Sequence, residues 1–126
     1  QNMKKKQKLS ALWTKKGREM QDYYRAEFNL CMSCFVNPAS VVHHHVPQSR
    51  SRTLRFDERN YVFLCQGCHM QHHNGDPRIG HNYRQGMMAK YGQGWEDELL
   101  TISGKIDKRS DKEWRQFLEG LDFTIT

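Results

Sequence analysis

Apolar side chains recur along the chain at spacings that predict two well-marked helices, one near each end. From about Ser10 to Phe28 the spacing is roughly helical and Lys and Arg occupy the other faces, which predicts an amphipathic helix. Ser110 and Glu113 form a capping box at the start of a second helix, predicted over Asp111 to Leu121. Its apolar stripe, expected to pack against the core, consists of Trp114, Phe117, Leu118 and Leu121.

The middle of the chain has a different pattern, which predicts a β-hairpin followed by helices. Val41 to Val46 is typical of a strand that Pro47 ends, and Tyr61 to Leu64 is typical of its partner. The loop between them is polar, rich in arginine and about a dozen residues long, a length often found in functional loops. Gln66 to about Asn74 lacks strand alternation and is predicted to be a helix that Gly75-Asp76-Pro77 stops. Two further helical stretches are expected at residues 83–91 and 95–102.

Four cysteines flank this hairpin in two pairs with the spacing of metal ligands. Cys31-x-x-Cys34 lies in a short segment that suits a tight knuckle, and Cys65-x-x-Cys68 lies at the start of the helix after the hairpin. This order of parts is typical of a treble-clef zinc module, in which four thiolates meet at one tetrahedral ion. No secretory signal is visible, so we expect the cytoplasm, where thiols bind zinc rather than form disulfides.

These patterns predict an α+β fold with a small treble-clef core over residues 29–75. Structural Zn²⁺ is expected to hold the hairpin against the helix, because a chain of 126 residues buries little apolar surface. An N-terminal helix and a helical C-terminal extension over residues 80–126 flank the core. We expect residues 1–126 to form a single domain whose residues 1–8 are a basic, flexible N-terminus.

The charge of the chain predicts a polyanionic partner. The formal net charge is +6, and residues 1–94 carry fifteen Lys and Arg against six Asp and Glu, whereas residues 95–126 carry five against eight. No apolar run approaches the roughly 18 residues that a membrane span needs, so no membrane partner is expected. The hairpin loop supplies the candidate phosphate contacts, because arginine's planar fork suits phosphate oxygens. These candidates are Arg50, Arg52, Arg55 and Arg59.

Six of the seven histidines lie between His43 and His73, and they require a separate explanation. A site filled by four thiolates has no open coordination position for catalysis. The motifs around these histidines are Val42-His43-His44-His45-Val46-Pro47-Gln48-Ser49, then Asn60-Tyr61-Val62-Phe63-Leu64-Cys65, then Cys68-His69-x-x-x-His73. Together they resemble the HNH endonuclease family, also called His-Me finger or ββα-metal nucleases.

The resemblance implies a role for each of these positions. His43 resembles the first metal ligand and His44 the general base, while Asn60 resembles the central Asn that positions the loop. His69 and His73 resemble the metal ligands on the helix. The implied cofactor is a catalytic divalent ion, Mg²⁺ or Mn²⁺, with Zn²⁺ or Ni²⁺ also fitting three neutral imidazoles. The implied activity is hydrolysis of DNA phosphodiester bonds, with imidazole as the base near neutral pH.

Several alternatives are open at this level. Three consecutive histidines also allow His44 and His45 to be the ligand and base, although the spacing to Pro47 favours His43 and His44. His72 is expected to contact solvent or DNA, because it lies off the face of the helix that carries His69. The main functional alternative is a non-catalytic treble-clef zinc module that binds nucleic acid.

A narrower resemblance concerns the partner and the biological setting. Cys31-Met32-Ser33-Cys34, the segment Leu54 to Asn60, Tyr83-Arg84 and Lys90-Tyr91-Gly92 are similar to phage NinG-like recombination proteins. That similarity implies a phage-encoded nuclease, active in the bacterial host cell on branched or recombining DNA.

Overall fold

The structure is a computed structural model that describes residues 7–27 and 29–124. In chain order its helices are α1 (Leu9–Ala26), α2 (Gln66–His73), α3 (Pro77–Tyr91), α4 (Trp95–Ser103) and α5 (Asp111–Gly120). Its strands are β1 (Val41–His44) and β2 (Tyr61–Leu64). Phe28 and most of the predicted basic segment 1–8 lie outside the described residues. Among the helices described, none is long and apolar enough to cross a membrane.

The described chain forms two compact units, and the first is a helical pair. It combines α1 with the segment that begins at Lys108 and contains α5. The predicted stripe of α5 packs against α1, with the ring centroids of Trp13 and Trp114 5.1 Å apart and Leu118 fully buried. The predicted capping box is present: the Ser110 hydroxyl accepts from the backbone N–H of Glu113 at 3.2 Å.

The second unit, Glu27–Asp107, contains the predicted hairpin and both cysteine pairs. Strands β1 and β2 are antiparallel, with Val41 opposite Leu64 and His44 opposite Tyr61. The predicted end of β1 at Val46 is wrong by two residues. After His44 the backbone N–H groups donate to Asn60 instead of continuing the strand. The His45 N–H donates to the Asn60 backbone carbonyl, and the Val46 N–H donates to the Asn60 side chain.

The cysteine knuckle is attached to the hairpin by backbone bonds. The Met32 N–H donates to the Phe63 carbonyl at 2.8 Å, and a β-bridge joins Leu30 to Pro38. Phe35 adopts φ 55°, the left-handed conformation that tight turns often require. The knuckle, hairpin and α2 therefore occur in the predicted treble-clef order, and the predicted α+β fold with a ββα core is confirmed.

The helices that follow the core extend further than the sequence indicated. Helix α3 begins at Pro77, six residues before the predicted start at Tyr83. Asp76 caps it by accepting from the Arg78 N–H, and Pro77 suits the first helical position because its missing N–H needs no partner there. The same residues that stop α2 therefore start α3. Buried side chains from α3 and α4, namely Ile79, Tyr83, Met87, Trp95 and Leu99, complete the core beside the hairpin.

Candidate active site and metal centre

The four cysteines converge on one point at the junction of the knuckle and α2. Their sulfur atoms all lie within 4.8 Å of one another, and those of Cys34 and Cys65 are 4.0 Å apart. Tetrahedral zinc with bonds of about 2.3 Å would place its sulfur ligands about 3.8 Å apart. All four are free thiols, so their chemistry and spacing fit a structural metal such as zinc.

Backbone and amide N–H groups surround these sulfur atoms. The Sγ of Cys65 accepts from the Cys68 N–H at 3.4 Å and from the Asn37 amide at 3.9 Å. Backbone hydrogen bonds, first from Asn37, lower the pKa of Cys34 to about 6. Burial raises the pKa of Cys68 to about 12. A cation would favour the thiolate form of all four, since metal ligation requires deprotonated sulfur.

His44 ends β1 with its imidazole buried and held in one orientation. Its Nε2 lies 2.8 Å from the Arg55 carbonyl oxygen, so Nε2 carries the proton and donates it. Nδ1 is then the basic nitrogen, and the exposed Gln48 amide lies 3.4 Å from it. Burial lowers the pKa of His44, although the hydrogen bond to Arg55 opposes this. His44 is therefore a neutral imidazole whose basic nitrogen faces the exposed start of the hairpin loop.

Asn60 fixes the two ends of the hairpin loop to each other. Its side chain is fully buried, its Oδ1 accepts from the Val46 N–H at 2.8 Å, and its Nδ2 donates to the Val46 and Leu54 carbonyls at 3.0 and 3.2 Å. The amide therefore acts on the backbone around His44 rather than on the imidazole itself.

His43 points from β1 towards the histidines of α2. Its ring centroid lies 5.4 Å from that of His69 and 6.4 Å from that of His73, and the latter two are 4.6 Å apart. Burial and the neighbouring imidazoles lower the pKa of His43 to about 3, so it is neutral and able to act as a ligand. Within the described residues, only the four cysteines form a ligand group with all atoms inside 4.8 Å, so these imidazoles are spaced more widely.

His72 lies inside the histidine cluster, where the sequence predicted a contact with solvent or DNA. Its ring centroid is 4.9 Å from that of His43 and 5.6 Å from that of Tyr83. Its Nδ1 is buried and has no hydrogen-bond partner among the described residues. The helical spacing from His69 gave no sign of this position, because α3 closes over this face of α2.

Both ring nitrogens of His45 are occupied. Nδ1 lies 2.7 Å from the Tyr83 hydroxyl and Nε2 lies 2.6 Å from Oε2 of Glu96. Burial raises the pKa of Tyr83 to about 12, so the phenol keeps its proton and donates to Nδ1. The His45 ring also packs on Trp95, with centroids 4.7 Å apart. Because both ring nitrogens of His45 already have hydrogen-bond partners, neither is available to bind a metal or accept a proton. This favours His43 and His44 as the ligand and base pair.

The four predicted DNA-binding arginines occupy different environments. Arg50 and Arg52 are exposed and line a concavity of about 370 Å³ together with Ser103 and Lys105. Arg55 is half-buried, with its guanidinium 5.6 Å from the centre of the Phe56 ring. Arg59 forms a two-point contact with the Asp57 carboxylate. Arg50 and Arg52 are therefore the two exposed members of the set.

These features define a small zinc-type ββα unit in which a buried histidine lies beside a histidine cluster. Residues 29–75 match the family model described as HNH endonuclease. The match covers all four cysteines and every histidine from His43 to His73, so this segment is similar to HNH endonuclease domains. Comparison with curated proteins and with solved structures gave no significant match.

Proposed function

We propose that this protein is a metal-dependent DNA endonuclease in which His44 is the general base. The observation that carries the proposal is the bond from His44 Nε2 to the Arg55 carbonyl. It fixes the tautomer that leaves Nδ1 able to accept a proton, and the carbonyl also stabilises the imidazolium that would result. The HNH match supports a nuclease-type or nucleic-acid-binding function for the same segment.

In this proposal the chain's own residues prepare water for attack on a backbone phosphate. His44 takes the proton of the attacking water at Nδ1, and Gln48 lies close enough to orient that water. Asn60 holds the loop so that the Arg55 carbonyl remains opposite Nε2. A general base contributes about 10²- to 10⁴-fold to such reactions.

His43, His69 and His73 are the residues that would hold the catalytic divalent ion. Their neutral imidazoles form a donor set that fits Mn²⁺, Co²⁺, Ni²⁺ or Zn²⁺ as well as Mg²⁺. When bound, the ion would neutralise charge on the scissile phosphate and on the leaving oxygen. The unpartnered Nδ1 of His72 lies in the same cluster and is a further potential donor.

The alternative is a zinc module that binds nucleic acid without cleaving it. The observation that favours it is the difference in spacing between the two ligand groups, since the thiols are closely gathered and the imidazoles are not. A binding module, however, has no need for a buried imidazole with an oriented basic nitrogen. We therefore favour the nuclease over the binding module.

A plasmid-nicking assay with Mg²⁺, Mn²⁺, Ni²⁺ or Zn²⁺ tests the proposal. Wild-type protein should nick supercoiled DNA with at least one ion, and His44→Ala should lower the rate by about 10²-fold or more. His81→Ala is the matched control, because His81 is exposed on α3, and it should cut like wild type. Equal cutting by His44→Ala would refute the base assignment, and no cutting by wild type with any ion would favour the binding module.

The NinG-like resemblance extends the proposal to the substrate. We infer a phage-encoded enzyme that acts on branched or recombining DNA in the bacterial cytoplasm. Comparing cleavage of a four-way junction with cleavage of a linear duplex of the same sequence tests this. Faster cleavage of the junction would support it, and equal rates would contradict it.

A further inference from the structure

Arg84 lies beside the histidine cluster, although it comes from α3 and falls outside the matched residues 29–75. The end of the Arg84 side chain lies over Gly80 of the same helix. A Cβ atom at Gly80 would lie 2.7 Å from Nη1 of Arg84 and 3.5 Å from Cε1 of His72. The guanidinium and the imidazole therefore both lie over Gly80, and a side chain there would displace the end of Arg84.

Glu96 holds this guanidinium by one nitrogen. Its Oε2 accepts from Nε of Arg84 at 2.9 Å and from Nε2 of His45 at 2.6 Å. Hydrogen bonds from Nη1 and Nη2 of Arg84 to other described residues are absent, and 41% of its side chain is exposed. The terminal edge of the guanidinium is thus available to a ligand, while its plane is set by Glu96.

Two other arginines of this unit form two-point ion pairs with a carboxylate. Arg59 donates to Asp57, and Arg78 to Asp76, each through both Nε and Nη2. In both pairs the carboxylate takes two guanidinium nitrogens. The Arg84 pair differs because Glu96 divides one oxygen between Arg84 and His45. That arrangement orients the guanidinium of Arg84 through Nε and leaves Nη1 and Nη2 without a contact to Glu96.

Glu96 is the charged partner that holds Arg84 in this place. Burial opposes ionisation of Glu96, but hydrogen bonds from Arg84 and His45 outweigh it and lower the pKa of the carboxyl. Glu96 is therefore a carboxylate whose charge Arg84 balances.

We propose that Arg84 is a phosphate-binding residue of this site and that Glu96 is the residue that positions it. The ligand is a backbone phosphate of DNA, bound through Nη1 and Nη2, because two parallel N–H donors match two phosphate oxygens. This inference rests on the proposed function for its substrate. It assigns to the helices after the HNH segment a direct part in the site.

The first test measures binding without cleavage. Zinc-loaded protein with no other divalent ion is titrated with a short DNA duplex at several salt concentrations, and the slope of log K against log[salt] is compared. Arg84→Gln should reduce the magnitude of the slope by about 0.9, the value for one phosphate contact. Arg78→Gln is the matched control, since it removes an arginine of α3 that is paired with Asp76, and it should leave the slope unchanged.

The second test measures the effect on kcat and KM. Arg84→Lys keeps the charge but loses the planar fork, so it should retain the salt slope while kcat falls about ten-fold or more. Glu96→Gln should also lower kcat while changing the slope little, because the charge that binds phosphate is retained. Thermal unfolding of each variant reports whether the fold is intact, and if Arg84→Gln fails to fold, Arg84→Lys decides by its kcat.

The outcomes separate this inference from the proposed function. The inference would be overturned if wild type cleaves DNA and a folded Arg84→Gln protein has the same salt slope and kinetics. An unchanged kcat in Arg84→Lys would also overturn it. Either result would leave the proposed nuclease activity unaffected. Absence of cleavage by wild type, with a reduced salt slope in Arg84→Gln, would overturn the nuclease and leave Arg84 as a phosphate contact.

Discussion

Hydrogen bonds to the ring nitrogens distinguish the three consecutive histidines. His43 has imidazoles as neighbours, His44 donates to a backbone carbonyl, and His45 lies between a phenol and a carboxylate. The spacing to Pro47 favoured His43 and His44 as the ligand and base pair, and the occupied nitrogens of His45 favour the same pair. The partner of His45 was not predictable, because Glu96 is 51 residues away in sequence and no periodic pattern connects them.

The first prediction concerns the free energy of unfolding of Asn60→Ala. The change would remove the hydrogen-bond partner of both the buried N–H and the carbonyl of Val46, at a cost of about 1–3 kcal/mol for each unsatisfied group. Urea unfolding of zinc-loaded protein measures the loss. Asn74→Ala removes an exposed amide and should change the value by less than about 0.5 kcal/mol. A similar effect of both substitutions would show that Asn60 does not fix the loop.

Among the elements, those marked by local signals were predicted best. Strand β2, helix α2 and helix α5 begin where the apolar pattern and the capping residues placed them. The predicted start of α3 at Tyr83 is wrong, because Gly75-Asp76-Pro77 is a stop signal for α2 and a start signal for α3 at once. Asp76 and Pro77 are equally a start signal, and the two readings differ only in whether a helix follows. The pairing of α5 with α1 depends on contacts between distant segments, which the stripe alone does not specify.

The capping box gives the second prediction, at the start of α5. Ser110→Ala removes the hydroxyl that accepts from the Glu113 N–H, and it should lower the free energy of unfolding by about 1 kcal/mol. The midpoint of helix loss, followed by circular dichroism, measures the effect. Ser10→Ala, at an exposed position in the first turn of α1, is the control and should not destabilise the protein. If Ser10→Ala destabilises the protein and Ser110→Ala does not, Ser110 does not stabilise α5 as a capping residue.

The third prediction concerns metal content and the folding of the ββα segment. Cys68→Ser should lose one tightly bound zinc ion and destabilise the second unit, because ligation provides part of the folding energy of small metal domains. Zinc analysis and circular dichroism before and after addition of metal test this. Met70→Ser changes an exposed residue of the same helix and should keep the zinc. A folded Cys68→Ser protein with full zinc content would rule out a four-thiolate site.

Over the whole molecule, charge separates along the chain. The exposed cations of the hairpin loop line a concavity with Lys105, whereas the first turn of α4 is acidic. Phosphate contacts release counterions, so DNA affinity should decrease steeply as salt increases. Composition alone indicated a polyanionic partner, but only the fold shows which cations share one concavity.

The fourth prediction assigns this salt dependence to the hairpin loop. A double variant with Arg50→Gln and Arg52→Gln should reduce the magnitude of the log K against log[salt] slope by about 2. The control replaces Lys15 and Arg18 of α1 by Gln, which removes the same charge from exposed helical positions. Equal changes in the two double variants would mean that the loop makes no special contribution to binding.

The pairing of α1 with α5 determines the order in which a chain leaving the ribosome can complete its structure. Helix α1 is synthesised before its partner, which is absent until residue 120 has emerged, after all four cysteines. The knuckle, hairpin and α2 are contiguous and need only short loops to close, whereas the helical pair must close the chain over residues 27–110. During synthesis the unit that contains the cysteines is therefore expected to fold first, and α1 remains an exposed amphipathic segment until α5 has been synthesised.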